Sequence, residues 1–427
     1  MVTASTIEKG YKQTELGVIP EDWDVKKLGE IGFFSKGQGI RKDQSQSGEL
    51  PCIRYGELYT RHSNYIKQYY SFISKEIAAT AKKLAVGDIL FAGSGETKEE
   101  IGKCAAFIDN IEAYAGGDVV IFSPYSTDSL ILGYLLNAPI AVKQKASKGQ
   151  GDAVVHISAS NLKEVKIPLP SLVKEQTAIA TVLFDTDALI ERLDKLIFKK
   201  KTIKQGAMQQ LLTGKKRLPG FSGKWEVKRL GEIGNCIRGV SYNGKRDLSS
   251  YDTDTTVRLL RSNNVQDGSI DLSELQFVNY SRVKPIQELQ ENDIVICMAN
   301  GSKQLVGKSG IFNILGNYKY TFGAFMGCFR TSSIHAVSRF ISFTFQTHQY
   351  RSYIDVLLSG SSINNLKPSD IESIEIPYPT KEEQAAISTV LSDVDAEIKR
   401  LEQEKDKYIM IKQGIMQELL TGKMRLI

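Results

Sequence analysis

The sequence predicts an α+β protein in which two mixed α/β domains are separated by a pair of long antiparallel coiled-coil helices, with internal pseudo-two-fold symmetry. Three observations lead to this prediction. The chain has 427 residues, which is too long for one ordinary core. One block of sequence occurs twice, and each copy carries a heptad pattern. The stretches between the copies have diverged, so we expect the blocks to be scaffold and the divergent stretches to be working surfaces.

Composition is that of an ordinary globular protein, with 41% hydrophobic and 24% charged residues. No segment is apolar enough to span a bilayer, and the N-terminal MVTASTIEKGYKQTELG lacks the apolar core of a secretory signal, so we expect a cytoplasmic location. The five cysteines are scattered singly, which argues against a disulfide framework and a zinc site. A net charge of +6 permits nucleic-acid binding without requiring it.

The repeat consists of two motifs that recur in the same order. EDWDVKKLGEIG, which contains Trp23, recurs as GKWEVKRLGEIG, which contains Trp225, and the chain has no other tryptophan. The second motif opens with EQTAIATVLFDTDALIERLDKL and recurs as EQAAISTVLSDVDAEIKRLEQE. Between residues 176–218 and 384–426, 26 of 43 positions are identical without a gap. The alternative is a duplicated structural protein whose variable parts merely drifted, but drift would have blurred the helical blocks as well.

Each long block reads as one helix that starts with a Glu-containing turn after a proline. A helix from Glu175 to Thr213 would be about 58 Å long at about 1.5 Å per residue. Gly214 and Gly422 are suited to left-handed C-caps. Apolar residues at steps of three and four define a seam. The predicted seam consists of Ile179, Leu183, Ile190, Leu193, Ile197, Ile203 and Leu211 in the first helix and of Ile387, Leu391, Val394, Ile398, Leu401, Lys405, Tyr408, Ile415 and Leu419 in the second.

Such a helix cannot hide its seam inside a small domain, and the simplest partner is its own copy. An antiparallel pair would place the two domains at opposite ends, with the helices as a ruler between them. Gly206 and Gly414 lie at matching places in IKQG. A glycine inside a helix costs about 1 kcal/mol relative to alanine, so we expect both to permit a close approach of another backbone or a local bend.

The pattern divides the chain into five parts. They are residues 1–22, a segment that closes a near ring; 23–173, the first mixed domain; 174–218, the first long helix; 219–375, the second mixed domain; and 376–427, the second long helix.

Within the variable domains, β-rich runs such as GDILFAG and NDIVICMAN alternate with helical stretches, and no helix-turn-helix, C2H2 finger or basic zipper is recognisable. If these domains read DNA, they must do so through loops. Side chains that read base edges cluster after predicted strands. The Gly-rich segments SKGQGDA (147–153) and LSGSSINN (358–365) are predicted loops at equivalent places, just before the repeated IPLP (167–170) and IPYP (376–379), which we call the IPxP motifs. For any one candidate residue, a solvated polar loop remains the alternative. The candidates are Arg54, Tyr55, Glu57, Tyr59, Arg61, Ser94, Glu96, Thr97, Lys98, Lys148 and Gln150 in the first domain and Arg258, Arg261, Asn263, Asn264, Asn300, Ser302, Lys303 and Gln304 in the second.

No catalytic or metal-binding residue is predicted. The FAGSG segment at residues 91–95 matches a short pattern that methyltransferases use for S-adenosylmethionine, but the chain lacks an NPPY-type motif, so we interpret the segment as a strand and turn. The four histidines are isolated, and Walker and HEXXH motifs are absent. A standalone DNA-modifying enzyme is therefore disfavoured. A coiled-coil scaffold with two protein-binding domains remains the alternative function.

The motifs W-x-V-x-x-L-x-x-I, EQ-x-A-I and KQG-x-MQ-x-LLTGK-x-RL, each present twice, resemble the specificity subunit of Type I restriction–modification systems over essentially the full chain. The resemblance implies a non-catalytic subunit whose two target recognition domains bind the halves of a bipartite, asymmetric site in double-stranded DNA. It also implies that the helices set the spacer and dock two methyltransferase subunits and the restriction subunits. S-adenosylmethionine, ATP and Mg are then expected on those partners, and no cofactor on this chain.

Overall fold

The computed structural model describes residues 7–151, 154–314, 316–359 and 364–426. The chain forms two compact units. The first contains Met1–Asp194 and Glu404–Ile427, and the second contains Lys195–Gln403. Each unit therefore combines one mixed domain with segments of both long helices, while the domain boundaries given above stay predictions. None of the helices in the described ranges is both long and apolar enough to cross a lipid bilayer.

The first half of the chain contains short strands, small helices and one long helix. Its strands are β1 (Tyr11–Thr14), β2 (Gly17–Pro20), β3 (Trp23–Lys27), β4 (Gly32–Lys36), β5 (Leu50–Ile53), β6 (Ser71–Ile73), β7 (Lys82–Lys83), β8 (Ile89–Ala92), β9 (Ser94–Gly95), β10 (Cys104–Ala106), β11 (Tyr114–Ala115), β12 (Val119–Pro124), β13 (Val155–His156) and β14 (Lys166–Pro170). Its helices are α1 (Leu28–Ile31), α2 (Tyr55–Thr60), α3 (Lys75–Ala78), α4 (Ser129–Asn137), α5 (Pro139–Lys148), α6 (Ala159–Lys163) and α7 (Val173–Leu211).

The second half repeats this plan. Its strands are β15 (Glu226–Arg229), β16 (Gly234–Arg238), β17 (Leu248–Ser249), β18 (Thr256–Leu260), β19 (Val265–Gln266), β20 (Gly268–Ile270), β21 (Gln276–Asn279), β22 (Ile294–Cys297), β23 (Ser309–Ile311), β24 (Tyr320–Phe322), β25 (Met326–Thr331) and β26 (Glu375–Tyr378). Its helices are α8 (Ser338–Thr344), α9 (His348–Ser359), α10 (Pro368–Glu372) and α11 (Lys381–Leu419). Short 3-10 segments cover Lys42–Gln44, Leu230–Glu232, Ser262–Asn264, Tyr280–Arg282, Pro285–Gln287 and Lys303–Leu305.

The first mixed domain has an antiparallel sheet of order β10-β8-β12-β4 and a second sheet of order β6-β5-β11-β7, in which β5 and β11 are parallel. Alternate residues of β8 point to opposite faces. Phe91 packs in one cluster with Leu135 of α4 and Ile179 of α7. Leu90 packs in another cluster with Ile53 of the second sheet. The central sheet is therefore buried on both faces, which explains the continuous apolar run of β8.

The second mixed domain is built in the same way. Its central sheet has the order β16-β25-β22-β23-β20-β19, and the second sheet, β17-β21-β18-β24, again contains a parallel pair, β18 with β24. Ile294 of β22 packs with Ile341 of α8 and Ile387 of α11. Val295 packs instead with Leu260 of the second sheet. Each domain thus has its own core of the same architecture, although the two sequences have diverged.

The two long helices run antiparallel in the first unit. Asp187 of α7 pairs with Lys412 of α11 at 2.6 Å, and Asp194 pairs with Lys405 at 2.8 Å. Residue numbers rise along one helix as they fall along the other, which is the register of an antiparallel pair.

The same antiparallel direction holds in the second unit, which contains the C-terminal half of α7 and the N-terminal half of α11. Lys200 of α7 pairs with Glu397 of α11 at 2.7 Å, and Lys204 pairs with Asp395 at 2.6 Å. The predicted antiparallel direction is confirmed within each unit, and with it the α+β fold class.

The predicted seam differs from the structure at one position. Ile203 was expected on the seam but is 48% exposed, whereas Lys204 beside it pairs across to Asp395 and Met208 is buried. The seam therefore continues from Ile197 through the charged residue Lys204, and the side chain of the neighbouring Ile203 is exposed to solvent. None of the other predicted seam residues is exposed. The half-buried ones are Ile190, Val394, Lys405, Tyr408 and Ile415, and the buried ones are Ile179, Leu183, Leu193, Ile197, Leu211, Ile387, Leu391, Ile398, Leu401 and Leu419.

Four glycines of the helical blocks have different roles. Gly214 and Gly422 have φ of +70° and +73°, which confirms the predicted left-handed C-caps. By contrast, a Cβ added at Gly206 or Gly414 would meet nothing within 4 Å. Both lie inside unbroken α-helix. Within the described part of the chain, no other backbone lies close to either glycine, so the expected close approach of another backbone is not met inside this chain.

Candidate nucleic-acid interface

The repeated Trp and Glu motifs meet in a buried cluster at the start of each long helix. In the first unit, the Glu175 carboxylate accepts hydrogen bonds from Trp23 Nε1 at 3.2 Å and from Arg425 Nε at 2.6 Å. Glu175 is buried because it lies against the mixed domain. Arg425 also pairs with Asp22 at 2.7 Å, so the N-terminal and C-terminal segments contact each other.

The second unit contains the matching cluster. Glu383 accepts hydrogen bonds from Trp225 Nε1 at 3.0 Å and from Arg217 Nη2 at 2.6 Å. The EQ motif is therefore adjacent in space to the W and RL motifs, although it lies more than 150 residues from both along the chain. Lys224 stands where the first unit has Asp22, so this cluster has only one carboxylate.

The glutamine of each EQ motif fixes the mixed domain to the long helix. Gln176 accepts a hydrogen bond from the backbone N–H of Asp128, at the N-cap of α4, and donates to the carbonyl of Pro170. Gln384 makes the same bonds to Val337 and Pro379. The repeated motifs are thus structural, and the surface that differs between the domains must lie elsewhere.

That surface lies at the opposite end of the central sheet, where β8 ends and β12 begins; we call it the loop end. In the first domain, Ser94 Oγ lies 2.9 Å from His156 Nδ1, and Lys103 donates to the carbonyl of Tyr59 at 2.9 Å. Gln150 and His156 exchange backbone hydrogen bonds. The segments after β5, after β8 and before the IPxP motif, which contain the candidate residues of the first domain, therefore lie next to one another.

The loop end of the second domain brings the equivalent segments together. Asn300 donates through Nδ2 to Ser262 Oγ at 3.4 Å, and its backbone N–H donates to the carbonyl of Asn364 at 3.3 Å. Lys303 Nζ lies 3.3 Å from Ser359 Oγ. Part of the predicted LSGSSINN loop lies outside the described residues, as do residues 152 and 153 of SKGQGDA.

The candidate residues differ widely in exposure. The exposed ones are Tyr55, Arg61, Glu96, Thr97, Lys98, Gln150, Ser302, Lys303 and Gln304. The half-buried ones are Arg54, Glu57, Tyr59, Lys148, Arg258, Arg261, Asn263 and Asn300, and the buried ones are Ser94 and Asn264.

Asn264 has a structural role that excludes base contact. It is buried, its side-chain oxygen accepts from the backbone N–H of Arg261, and its amide donates to the carbonyls of Asp271 and Glu274. Its hydrogen-bonding groups are therefore satisfied inside the domain, and its assignment to the DNA-binding set is wrong. Glu57 occupies the equivalent place, accepting from the N–H of Arg54.

Arg258 is also engaged within its domain. It belongs to strand β18 rather than to the following loop. Its guanidinium pairs with Asp252 at 2.9 Å and lies 3.4 Å from the ring centroid of Tyr318. Tyr320 accepts a further hydrogen bond from it at 2.9 Å. These contacts hold Arg258 within the sheet. The exposed residues of the following loops are therefore better placed than Arg258 to contact DNA.

Arg54 and Arg261 occupy the same place in both domains. Each directly follows the strand that pairs in parallel, and each is the N-cap of the next helical turn. Arg54 donates to Ser45 Oγ at 3.4 Å, while the Nε of Arg261 is buried without a hydrogen-bond partner in the described part of the chain. A shared arginine at the loop end suits a contact that both domains need, such as a phosphate.

The FAGSG segment is a strand and turn, as interpreted from the sequence: Phe91 is buried within β8, and β9 follows at Ser94–Gly95. Within the described ranges, no group of three or more His, Cys, Asp or Glu side chains is placed to hold a metal ion.

Sequence reasoning missed one feature of the loop end, a tight turn before β12 and before β25. The N–H of Val119 donates to the carbonyl of Gly116 at 3.1 Å, and the N–H of Met326 donates to the carbonyl of Gly323 at 2.8 Å. The third residue of each turn, Asp118 or Phe325, is exposed. The glycine shared by GGD and GAF was the available signal.

Comparison with known proteins agrees with this organisation. The family model described as Type I restriction modification DNA specificity domain matches twice, at residues 20–199 and 222–409. A protein of Methanocaldococcus jannaschii, called putative type I restriction enzyme MjaX specificity subunit, is 29% identical over 434 residues, covering 98% of this chain and 97% of that protein. The EcoKI specificity subunit of Escherichia coli is 34% identical over 204 residues, covering 47% of this chain and 43% of that one.

Solved structures share the fold. The crystal structure of a Type I restriction–modification S subunit from M. genitalium superposes with a TM-score of 0.61 at 15% identity, covering 93% of this chain and 96% of that one. A structure from work on complex assembly and conformational transition of the type I R-M system gives a TM-score of 0.54 at 17% identity, covering 95% and 99%. With two family matches that together cover most of its length, this chain belongs to the Type I restriction–modification DNA specificity family.

Proposed function

We propose that this chain is the non-catalytic DNA-recognition subunit of a Type I restriction–modification complex, and that each mixed domain binds one half of a bipartite, asymmetric site in double-stranded DNA. The observation that carries the proposal is the loop end. The same three segments converge there in both domains, on the same core, while the side chains they present differ. A common frame with unlike side chains is what two readers of unlike sequences require.

The differences in charge between the loops support separate half-sites. Residues 96–100 of the first domain read ETKEE and are all exposed, whereas residues 301–305 of the second read GSKQL. Acidic groups accept hydrogen bonds from cytosine amino groups, while lysine and glutamine suit guanine and adenine. Arg54 and Arg261, which the domains share, would supply contacts to phosphates that hold each domain on the duplex.

The helix pair would dock two methyltransferase subunits. Ile203 and Ile411 occupy the same place in the two copies and are 48% and 37% exposed, and each is followed three residues later by Gly206 or Gly414. Apart from its own helix, nothing in the residues that the structure describes lies within 4 Å of a Cβ at either glycine. An apolar residue and a glycine kept in both copies without an intrachain reason support two equivalent surfaces for two copies of one partner.

The chemistry would then belong to the partners. Methyltransferase subunits would bring S-adenosylmethionine and restriction subunits would bring ATP and Mg, while this chain supplies sequence recognition and scaffolding in the cytoplasm. A coiled-coil scaffold with two protein-binding domains is the second candidate. It predicts assembly with partners but no selective retention of DNA.

Sequencing of methylated adenines in DNA exposed to the assembled complex tests the proposal. The expected result is one bipartite motif with an unspecified spacer. In a second arm, the exposed Lys303 is replaced (Lys303→Ala), which should relax only the second half-site, while Lys98→Ala should relax only the first. Absent methylation, methylation without a motif, or relaxation of both half-sites by one variant would contradict it.

A further inference from the structure

Phe325 is an exposed aromatic residue that the fold does not need. It is 71% exposed, so most of its aromatic ring is open to contact by a partner. It is the third residue of the tight turn between β24 and β25, closed by the hydrogen bond from the N–H of Met326 to the carbonyl of Gly323. Burial in a partner would therefore gain apolar contact at little cost to the domain.

The backbone of Phe325 is held rigidly. Its carbonyl accepts hydrogen bonds from the N–H groups of Met298 at 2.9 Å and Ala299 at 3.0 Å, which continue the end of β22. A side chain on a fixed turn loses little backbone freedom on binding, which favours a specific contact.

The turn lies among the loops already assigned to DNA. Ala299, which donates to Phe325, is followed by Asn300, and Asn300 contacts Ser262 and Asn364 from the other two segments of the loop end. Phe325 is thus an apolar group within a polar surface. The first domain has the same turn with the same backbone bond, from the N–H of Gly93 to the carbonyl of Asp118, but presents a carboxylate.

We propose that Phe325 contacts the 5-methyl group of a thymine in the second half-site and so selects that base. The inference rests on the proposed function. In the major groove, thymine is the base that offers an apolar methyl group, whereas the other base edges present donors and acceptors there. An aspartate at the same place, as in the first domain, cannot make this contact, so the turn is a position where the two domains differ in the base they select.

The test uses the assembled complex and duplexes carrying its methylation-defined site. Each thymine of the second half-site is replaced in turn by deoxyuridine, which removes only the methyl group. For the wild-type complex, one replacement is expected to weaken binding about four-fold, the equivalent of one buried methyl group. The Phe325→Ala complex should bind more weakly and should no longer distinguish thymine from deoxyuridine at that position.

Two variants serve as controls. Ile334→Ala removes an apolar side chain that is 79% exposed and follows the other end of β25, so it should keep the wild-type preference for the methyl group. Asp118→Ala should change the binding preference for bases of the first half-site and should leave the preference for the methyl group in the second half-site unchanged.

The inference is overturned if the second half-site contains no thymine, if every thymine tolerates deoxyuridine in the wild-type complex, or if Phe325→Ala keeps the preference. Failure of the proposed function looks different, because the wild-type complex would then show no sequence-selective binding at all.

Discussion

Glu175 lies in the first turn of α7 with its carboxylate buried between Trp23 and Arg425. Removing one partner of a buried ion pair leaves the other charge uncompensated. We expect Glu175→Ala to lower the free energy of unfolding by about 3 kcal/mol, measured by urea titration. The control is Glu164→Ala, which breaks an exposed pair with Lys27 of the same 2.6 Å length and should lower the free energy of unfolding far less, because solvent screens that pair. Equal losses would contradict the structural role of the cluster.

His62 gives the first unit a defined response to acid. Its side chain is 2% exposed, and neither ring nitrogen has a hydrogen-bond partner in the described part of the chain. Burial, with the nearby charges of Lys103 and Lys67, lowers the pKa of His62 to about 4. An unfolded histidine takes up its proton near pH 6.5, so between pH 6.5 and 4 the unfolded state binds more protons. Stability is therefore lost as pH falls through this window and is fully present above it.

We expect the wild-type chain to lose about 2 kcal/mol of unfolding free energy between pH 7 and pH 5 through this residue. His62→Phe, which cannot titrate, should show a correspondingly smaller difference when both proteins are unfolded with urea at the two pH values. If the two differences are the same, His62 is not the responsible group.

At this scale, the sequence identified which residues recur but not what they contact. The recurrence of Trp, Glu-Gln and Arg-Leu was evident, yet their meeting depends on chain separations of more than 150 residues, which no local pattern encodes. Asn264 was taken for a base-reading residue because its type fits, and only the fold reveals that its amide is satisfied by Asp271 and Glu274.

Gly206 and Gly414 mark the surfaces of the two long helices that we propose for the methyltransferase subunits. Gly206→Ala and Gly414→Ala fill no occupied space, so each should stabilise the isolated chain by about 1 kcal/mol through helix propensity. Gly206→Trp and Gly414→Trp should be tolerated by the isolated chain but should each block one methyltransferase subunit. Native mass spectrometry of the assembled complex should find one partner with either variant and none with both.

The alanine variants are the matched controls, because a methyl group at the same place should leave two partners bound. Two partners on the double tryptophan variant would mean that the subunits dock elsewhere.

At the scale of elements, periodicity was sufficient to predict two helices, and Gly214 and Gly422 predicted their C-caps. The antiparallel direction followed instead from the expectation that the two domains lie at opposite ends of the helix pair. Periodicity was not sufficient to place the seam near Ile203, because the heptad pattern of α7 is assigned from apolar residues alone. In the structure the seam passes through Lys204, whose charge is compensated by Asp395. The mixed domains were predicted only in outline, since short strands buried on both faces carry no alternation to fix their register.

For the whole molecule, the register of the helix pair defines how a length change must be made. Seven residues inserted both after Asp194 and after Gln403 leave the ion pairs of each unit in register. Such a heptad adds about 10.5 Å of helix, or about 3 base pairs of DNA. We expect the methylated motif to keep both half-sites and to gain a longer spacer, as read by sequencing methylated adenines.

An insertion in α7 alone shifts one set of ion pairs and should lower the thermal unfolding temperature, which makes it the control. Altered half-sites with an unchanged spacer in the double insertion would contradict the role of the helices as a ruler.

The contact between Asp22 and Arg425 has a consequence for synthesis of the protein. The core of the first unit includes Leu419 and Leu420 as well as Trp23, so these two leucines leave the ribosome only after the whole second domain has been translated. The first domain must therefore wait, with part of its apolar surface uncovered, while the second is made. A chain that stops before Leu419 would have an unfinished first core, which proteases that remove unfolded polypeptides can recognise.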